Sequence, residues 1–243
     1  MATSGPETIF SLAGFRVTNT LLATLLVDAV IILIILLVRR RMSLLPGRLQ
    51  AIVEGILDYL HTITEQVARS RTAMIFPWVA IFFIYIALSN LIGLLPGFGT
   101  LGFHRPDGFV PLLRVSTSDL NLTLALAVVS VVATNALSIR TLGLGGYLKR
   151  FFALNPLLLF VGLLELLQEF TKLITFSFRL YGNISAGEVV LSTMSAIGAF
   201  VVPMPFMVFE LLVAVIQGAI FALLTLAFMT ILTESHSTEE SHT

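Results

Sequence analysis

The sequence predicts an all-α, polytopic membrane protein, with residues 1–243 forming a single membrane domain. Of its 243 residues, 57% are hydrophobic and only 12% are charged, whereas soluble domains carry about 25% charged residues. The mean hydropathy is +0.99. Several apolar runs also reach the length of about 20 residues that a helix needs to cross a bilayer.

The composition also excludes several classes of function. The formal net charge is zero, so no strong electrostatic field favours nucleic acid as a partner. Cysteine is absent, which excludes disulfides and Cys-based metal or redox chemistry. The four histidines are scattered and lie outside the deep apolar runs, so we expect neither a metal site nor a cofactor.

Three apolar runs predict separate crossing helices. Residues 18–38 end at the arginines of 39–41 rather than at a cleavage site, so we expect this run to remain as a membrane anchor. Residues 74–96 form the second run. Residues 119–139 form the third, which is entered through the sequence STSD, a typical signal for a helix N-terminus.

The segment 48–70, between the first two runs, has helical spacing with one apolar face. Its apolar residues fall at positions 49, 52, 53, 56, 60, 63 and 67, and the other face carries Gln50, Glu54, Asp58, His61 and Glu65. This pattern predicts an amphipathic helix on the membrane surface. A helix that packs against other subunits fits the same pattern, and the two interpretations are compatible.

The cations divide unequally between the two sides of the predicted membrane segments. Nine would share one side: Arg39, Arg40, Arg41, Arg48, Arg69, Arg71, Arg140, Lys149 and Arg150. Three would share the other: Arg16, Arg105 and Arg114. The positive-inside rule places the group of nine in the cytoplasm, so we expect the N-terminus outside and the C-terminus in the cytoplasm.

Residues 151–232 hold the rest of the apolar sequence, with a clear break only at Pro203 and Pro205. The stretch 156–200 would extend about 67 Å as one helix. The hydrocarbon core is only about 30 Å thick. This stretch therefore either breaks near residues 182–183 into two crossings or runs as one long, strongly tilted helix.

One predicted face of this stretch carries a line of ionisable groups. At 100° per residue, Lys172 and Glu165 lie within about 40° of the Arg179 direction, and Asn183 continues the line. Glu169 lies about 80° to one side. Because intramembrane ionisable residues usually line ion or proton paths, this face is a candidate site. Alternatively, Glu165, Glu169 and Lys172 form a structural ion network along the helix.

Two other membrane segments carry polar groups. Glu210 and Gln217 are seven residues apart and share one stripe, and Gly218 beside them permits a close helix contact. Asp28 lies deep in the first run. These residues fit a proton path, but Glu210 and Gln217 also fit interhelical hydrogen bonding, and Asp28 also fits a pair with a neighbouring group.

Arg179 is the hardest of these groups to explain structurally. Arginine stays protonated in proteins, so it cannot relay protons by titrating. A charge at the bilayer centre costs from a few to more than about ten kcal/mol, so it must meet an anion, water or both. Glu188, nine positions further along, points almost in the opposite direction. We therefore expect the partner carboxylate on another chain.

The sequence contains no motif for chemistry on ATP or for an intramembrane hydrolase. GNISAG has the glycine spacing of a phosphate loop but lacks the Lys and Ser/Thr that must follow. The patterns G-x-S-x-G and H-E-x-x-H do not occur.

The stretch FRLYGNISAGE (Phe178–Glu188) closely resembles the signature of subunit a of the F-type ATP synthase membrane sector. NLIGLLPG at 90–97, TSDLNLTLALA at 117–127 and ELLVAVIQGAIFALLT at 210–225 are similar to the same family. The resemblance covers about residues 18–233.

This resemblance implies a stator subunit beside a rotating ring of c subunits, each with one membrane carboxylate. It identifies Arg179 as the family's essential arginine, which would face the ring, attract each ionised carboxylate and separate two offset proton half-channels. The implied proton path contains Asn183, Glu188, Glu210, Gln217, Glu165, Lys172 and Asp119. Glu210 stands where some relatives carry histidine.

The resemblance also implies that 151–232 form a hairpin of two long tilted helices, which gives about five membrane-crossing helices in addition to the surface helix. The implied partners are the c-ring, the peripheral stalk subunit b, membrane lipid and protons. The expected location is a bacterial inner membrane. ATP would be made or hydrolysed elsewhere in the complex, so this chain would be a non-catalytic, proton-translocating subunit.

Two other classes of function make different predictions. A stand-alone ion channel or secondary transporter predicts ion flux from this chain reconstituted alone. A purely structural membrane scaffold predicts that Arg179→Ala leaves coupled ATP synthesis intact.

Overall fold

The computed structural model describes residues 7–12, 15–40, 42–43, 46–95, 98, 102–105, 108–151, 156–198 and 201–233. The ends of the predicted membrane domain, 1–6 and 234–243, lie outside these residues. Most of the described chain belongs to α-helices: α1 Asn19–Arg40, α2 Arg48–Ala68, α3 Thr72–Gly93, α4 Leu120–Phe151, α5 Pro156–Gly198 and α6 Pro203–Thr233.

The all-α, polytopic membrane fold is confirmed. Among the described residues, the segments long and apolar enough to cross a membrane are Asn19–Arg40, Arg48–Gly93, Leu120–Leu148 and Pro203–Thr233. α5 is a single helix of 43 residues. The alternative of a break near residues 182–183 is therefore wrong, and α5 forms a long antiparallel hairpin with α6.

Two short antiparallel hairpins accompany the helices and were not expected from the sequence. β1 (Thr8–Leu12) pairs with β2 (Phe15–Thr18), which leads directly into α1. β3 (Gly102–Arg105) pairs with β4 (Gly108–Pro111) between α3 and α4. The side-chain amide of Asn19, the residue that follows β2, donates to the Pro111 carbonyl oxygen at 3.5 Å, so the two hairpins lie at the same end of the helices.

The centre of the bundle is the contact between α3 and α6. A Cβ atom at Gly218 would lie 3.1 Å from both the Ala87 Cβ and the Phe83 carbonyl oxygen, so any larger residue would have to push the two helices slightly apart. Around the contact, the Phe82 and Phe221 ring centroids are 5.2 Å apart. The close helix contact predicted at Gly218 is confirmed, and it fixes α6 against the bundle.

α2 packs on the bundle along one edge and leaves an apolar stripe uncovered. A turn at Arg69, with φ 49° and ψ −114°, separates α2 from α3. Leu60 is buried against the core, and the His61 and Phe76 ring centroids are 5.1 Å apart. The opposite edge exposes apolar side chains such as Ile52, which is 64% exposed, as a helix at a membrane surface or a subunit contact requires.

α4 has two helical arms that meet at Gly143, where φ is 72° and ψ is 163°. This backbone conformation is essentially restricted to glycine. The Tyr147 hydroxyl donates to Asn135 Oδ1 at 2.9 Å, although the two residues would lie about 18 Å apart along a straight helix. The kink therefore folds the end of α4 back beside its own earlier turns.

Candidate functional site at the α5–α6 hairpin

The antiparallel register of α5 and α6 sets which polar groups meet. Lys172 lies over the Phe228 ring, Arg179 lines a narrow cleft with Gln217, and Glu210 packs on Gly187. In each case the two residue numbers sum to nearly the same value, as two antiparallel helices at constant stagger require. The polar stripe predicted on α6 therefore faces α5.

Arg179 is half-buried in the cleft between α5 and α6. The other side chains that line the cleft are apolar, apart from Gln217, which is only 8% exposed. Within the described ranges, the guanidinium has no hydrogen-bond or ion-pair partner. The next turn of α5 presents Asn183 on the exposed surface. Among the described residues, the Arg179 cation thus lies at the edge of an apolar contact and has no acid beside it.

Lys172, two turns earlier on α5, has the opposite environment. It is 8% exposed, its Nζ lies 2.6 Å from Glu169 Oε1, and it lies 4.2 Å from the centroid of the Phe228 ring. Asn135 of α4 donates to Glu169 Oε2 at 3.2 Å. This pair supports the structural interpretation of these charges. Glu165 is half-buried on the same helix and lies about 21 Å from Arg179 along the helix axis, so the fold does not bring these two groups together.

Glu188 has a partner that sequence reasoning missed. Arg114 Nη2 lies 3.0 Å from Glu188 Oε2, and the two side chains are 16% and 29% exposed. The pair joins residues 74 positions apart, so no helical spacing reveals it. The only signal available was that Arg114 is one of three cations predicted on the outer side.

Glu210 approaches Glu188 from α6. Its carboxyl group occupies the space that a side chain at Gly187 would fill, so a methyl group there would overlap it. Glu210 Oε2 is buried and makes no hydrogen bond within the described part of the chain. Glu188 is close enough to Glu210 for the two carboxyl groups to interact electrostatically. The structure thus brings these two predicted residues together.

Asp119 lies apart from Arg179, at the start of α4, and is buried. Its Oδ1 accepts the Asn121 backbone N–H at 2.9 Å, which caps the helix. Its Oδ2 accepts the Thr20 hydroxyl at 3.0 Å. Asp28, also in question from the sequence, is half-buried and interacts electrostatically with Tyr85 of α3. Asp119 therefore has a visible structural role.

The hairpin therefore combines two arrangements with different chemistry. Arg179 offers a fixed positive charge that can attract an anion from outside the chain. Glu188 and Glu210 offer two neighbouring carboxyl groups that can hold and pass a proton. Because a guanidinium cannot titrate, Arg179 alone cannot carry protons, and a proton path also needs the carboxyl groups.

Comparison with known proteins agrees with this arrangement. Residues 21–230 match the family ATP synthase A chain. Relatives include ATP synthase subunit a 1 of Hahella chejuensis, 31% identical over 88% of this chain and 83% of the relative. ATP synthase subunit a of Moorella thermoacetica is 28% identical over 95% and 98%. The sodium-ion-specific subunit a of Propionigenium modestum is 30% identical over 89% and 74%. The chain belongs to the ATP synthase A chain family, the family of subunit a.

Proposed function

We propose that this chain is the stator subunit of a rotary F-type ATP synthase and provides two proton half-channels beside the c-ring. It couples proton translocation to rotation of the ring, and the ATP chemistry takes place elsewhere in the complex. The single observation that carries this proposal is the state of Arg179. In a chain that belongs to this family, its guanidinium is half-buried and has no partner among the described residues.

The charge on Arg179 supplies the coupling. A carboxylate on a passing c subunit is favoured in its ionised form near an opposite charge and in its neutral form when it is surrounded by apolar groups. Each carboxylate therefore releases a proton as it reaches Arg179 and takes one up before it returns to lipid. Moving one charge through 100 mV is worth about 2.3 kcal/mol, which drives the rotation.

The positions of four polar residues in the hairpin support the proposed proton path. Asn183 and Glu188 lie on α5, which also carries Arg179, and Glu210 and Gln217 lie on α6, the other helix of the hairpin. Glu165, Lys172 and Asp119, assigned to the same path by resemblance, stay predictions. Lys172 and Asp119 already have internal partners, so any part that they take in the path must compete with those contacts.

The proposed partners are c-ring carboxylates at Arg179, the peripheral stalk subunit b, lipid and protons, without nucleic acid. The proposed location is a bacterial inner membrane with the N-terminus outside. Arg71 donates to the Thr233 hydroxyl at 3.3 Å, which holds the end of α6 beside the arginines of the α2–α3 turn. Because arginines favour the cytoplasmic side, this contact supports a cytoplasmic C-terminus.

The test is coupled ATP synthesis by the whole complex carrying Arg179→Ala. We expect synthesis driven by an imposed proton gradient to be lost while the complex still assembles. The matched control is Arg16→Ala, which removes an exposed cation outside the α5–α6 hairpin. Retained synthesis in the Arg179→Ala complex would overturn the proposal and favour a scaffold.

Reconstitution separates the stator from a stand-alone channel or transporter. The isolated chain in vesicles should carry little proton flux, because the carboxylates that alternate between charged and neutral forms belong to the ring. Flux from the chain alone that matches the flux of the assembled membrane sector would favour the channel instead.

A further inference from the structure

The Glu188 carboxylate is held by a cation from a distant part of the chain. Arg114 Nη2 lies 3.0 Å from Glu188 Oε2, and both side chains are largely shielded from water. A hydrogen bond between two charged groups is shorter and stronger than one between neutral groups. Partial burial also reduces screening of the pair by salt. The contact therefore restricts where the carboxylate lies.

The segment that carries Arg114 is anchored without this ion pair. Thr117 Oγ1 donates to Asn90 Oδ1 at 2.5 Å, in the interior of the bundle. The Thr20 hydroxyl donates to Asp119 Oδ2 at 3.0 Å. Since these buried contacts fix the segment against α3 and α1, the ion pair is not needed to hold it. The main effect of the pair falls on the acid.

Glu188 also lies near Glu210 of α6. The Glu210 carboxyl lies over Gly187, the residue next to Glu188, and its Oε2 has no hydrogen bond from the described residues. One cation from the segment before α4 and one acid from α6 therefore face the same carboxylate on α5. A carboxylate free to rotate would not keep a constant distance to its neighbour.

We propose that Arg114 is a positioning residue for proton translocation. Its guanidinium holds the Glu188 carboxylate beside the Glu210 carboxyl, so that a proton passing this part of α5 meets the two acids in one geometry. The inference rests on the proposed function, in which Glu188 and Glu210 belong to the proton path.

The experiment uses membrane vesicles that contain the assembled ATP synthase and an imposed proton gradient. Arg114→Gln should lower the synthesis rate per assembled complex about tenfold, since a misplaced group of this kind slows a reaction by one to two orders of magnitude. Arg114→Lys keeps the charge but loses the fork of donors, so the rate should fall less than about threefold. The matched control Arg16→Gln removes an exposed outer cation and should leave the rate unchanged.

Two further readouts separate positioning from a merely structural role. In Arg114→Gln, the proton concentration for half-maximal synthesis should change at least about threefold, whereas structural damage alone would lower only the amount of assembled complex. The loss in Glu188→Asp combined with Arg114→Gln should be smaller than the product of the two single losses, because residues that act through one contact are not additive.

Unchanged rates and an unchanged half-saturating proton concentration in Arg114→Gln would overturn the inference. If Arg114→Gln assembles poorly, Arg114→Met replaces it, because methionine also removes the charge, and unchanged rates with an unchanged half-saturating concentration in that variant would overturn the inference. Arg179→Ala in the same vesicles keeps the two proposals apart. Retained synthesis in Arg179→Ala refutes the stator function, whereas loss there together with normal Arg114 variants refutes only the positioning role.

Discussion

Lys172 and Arg179 lie two turns apart on α5, yet their environments differ completely. Lys172 is 8% exposed, with Glu169 at 2.6 Å and an aromatic ring beneath it. Arg179 has no such partner in the described chain. A buried pair is neutral as a unit, so it needs nothing from outside. An unpaired cation needs an anion or water. The difference separates a charge that holds helices together from one that is available to a partner.

The largest effect should come from giving Arg179 an internal acid, as Lys172 has. Gln217 and Arg179 line the same cleft, so Gln217→Glu would place a carboxylate beside the guanidinium. Two unit charges about 4 Å apart near a protein surface attract with about 4 kcal/mol. We therefore expect gradient-driven ATP synthesis to fall at least about a hundredfold.

The control for this variant is Gln66→Glu, which adds the same charge at an exposed position of α2, outside the α5–α6 hairpin. Its synthesis rate should stay close to that of the unmodified complex. Equal rates in the Gln217→Glu and unmodified complexes would show that Arg179 does not need to be free.

Removing Lys172, the paired cation, should instead lower the free energy of unfolding. Lys172→Met leaves Glu169 buried without its cation, and loss of one partner of a buried pair costs about 3–5 kcal/mol. We expect a lower unfolding midpoint for the purified subunit in detergent. Adding Glu169→Gln should restore most of the loss, because no charge is then left unpaired.

Arg179→Met is the matched comparison for that measurement, since it removes a cation without an internal partner in the described chain. Its unfolding free energy should stay within about 1 kcal/mol of the unmodified subunit, because no internal ion pair is broken. A similar loss for the Lys172 and Arg179 variants would remove the distinction between the two sites.

The smallest effect should come from a change at the contact between α3 and α6. This contact fixes α6, the helix that packs against both Lys172 and Arg179. A methyl group in Gly218→Ala would press on the α3 backbone at 3.1 Å, and overpacking of this kind costs about 1–3 kcal/mol. Gly55→Ala on α2 meets no atom within 4 Å and should be neutral or slightly stabilising. The unfolding midpoints of the two variants provide the test, and equal values would show that α3 and α6 can separate.

The crossing helices could be predicted because long apolar runs have few other folds open to them. α2 could be predicted from the helical spacing of its apolar residues. The residue pattern alone left the continuity of α5 open, because the Gly182–Asn183 pair fits a turn and a helix equally well, and only the family resemblance implied one long helix. The short hairpins are built from strands of four or five residues, too short for a pattern of alternating residues to be distinctive.

The site divides in the same way. The polar stripes of α5 and α6 follow from helical spacing, so Arg179, Gln217 and Glu210 could be found from sequence. The partner of Glu188 could not, because Arg114 lies in an irregular segment 74 residues away. Helical spacing allowed Glu169 and Lys172 to pair but could not decide between pairing and a proton path. The structure shows that the two side chains pair, and a part for Lys172 in the proton path stays a prediction.

The kink at Gly143 makes the length of the following four residues critical. The Tyr147 hydroxyl donates to Asn135, and Asn135 donates to the Glu169 carboxylate. Tyr147 can make its contact only when the second arm of α4 keeps its present rotation about the helix axis. One inserted or deleted residue between the kink and the tyrosine would rotate the hydroxyl about 100° around the helix axis. Loops between helices usually accept such changes. This short arm should reject them, and natural length variation should begin only after it.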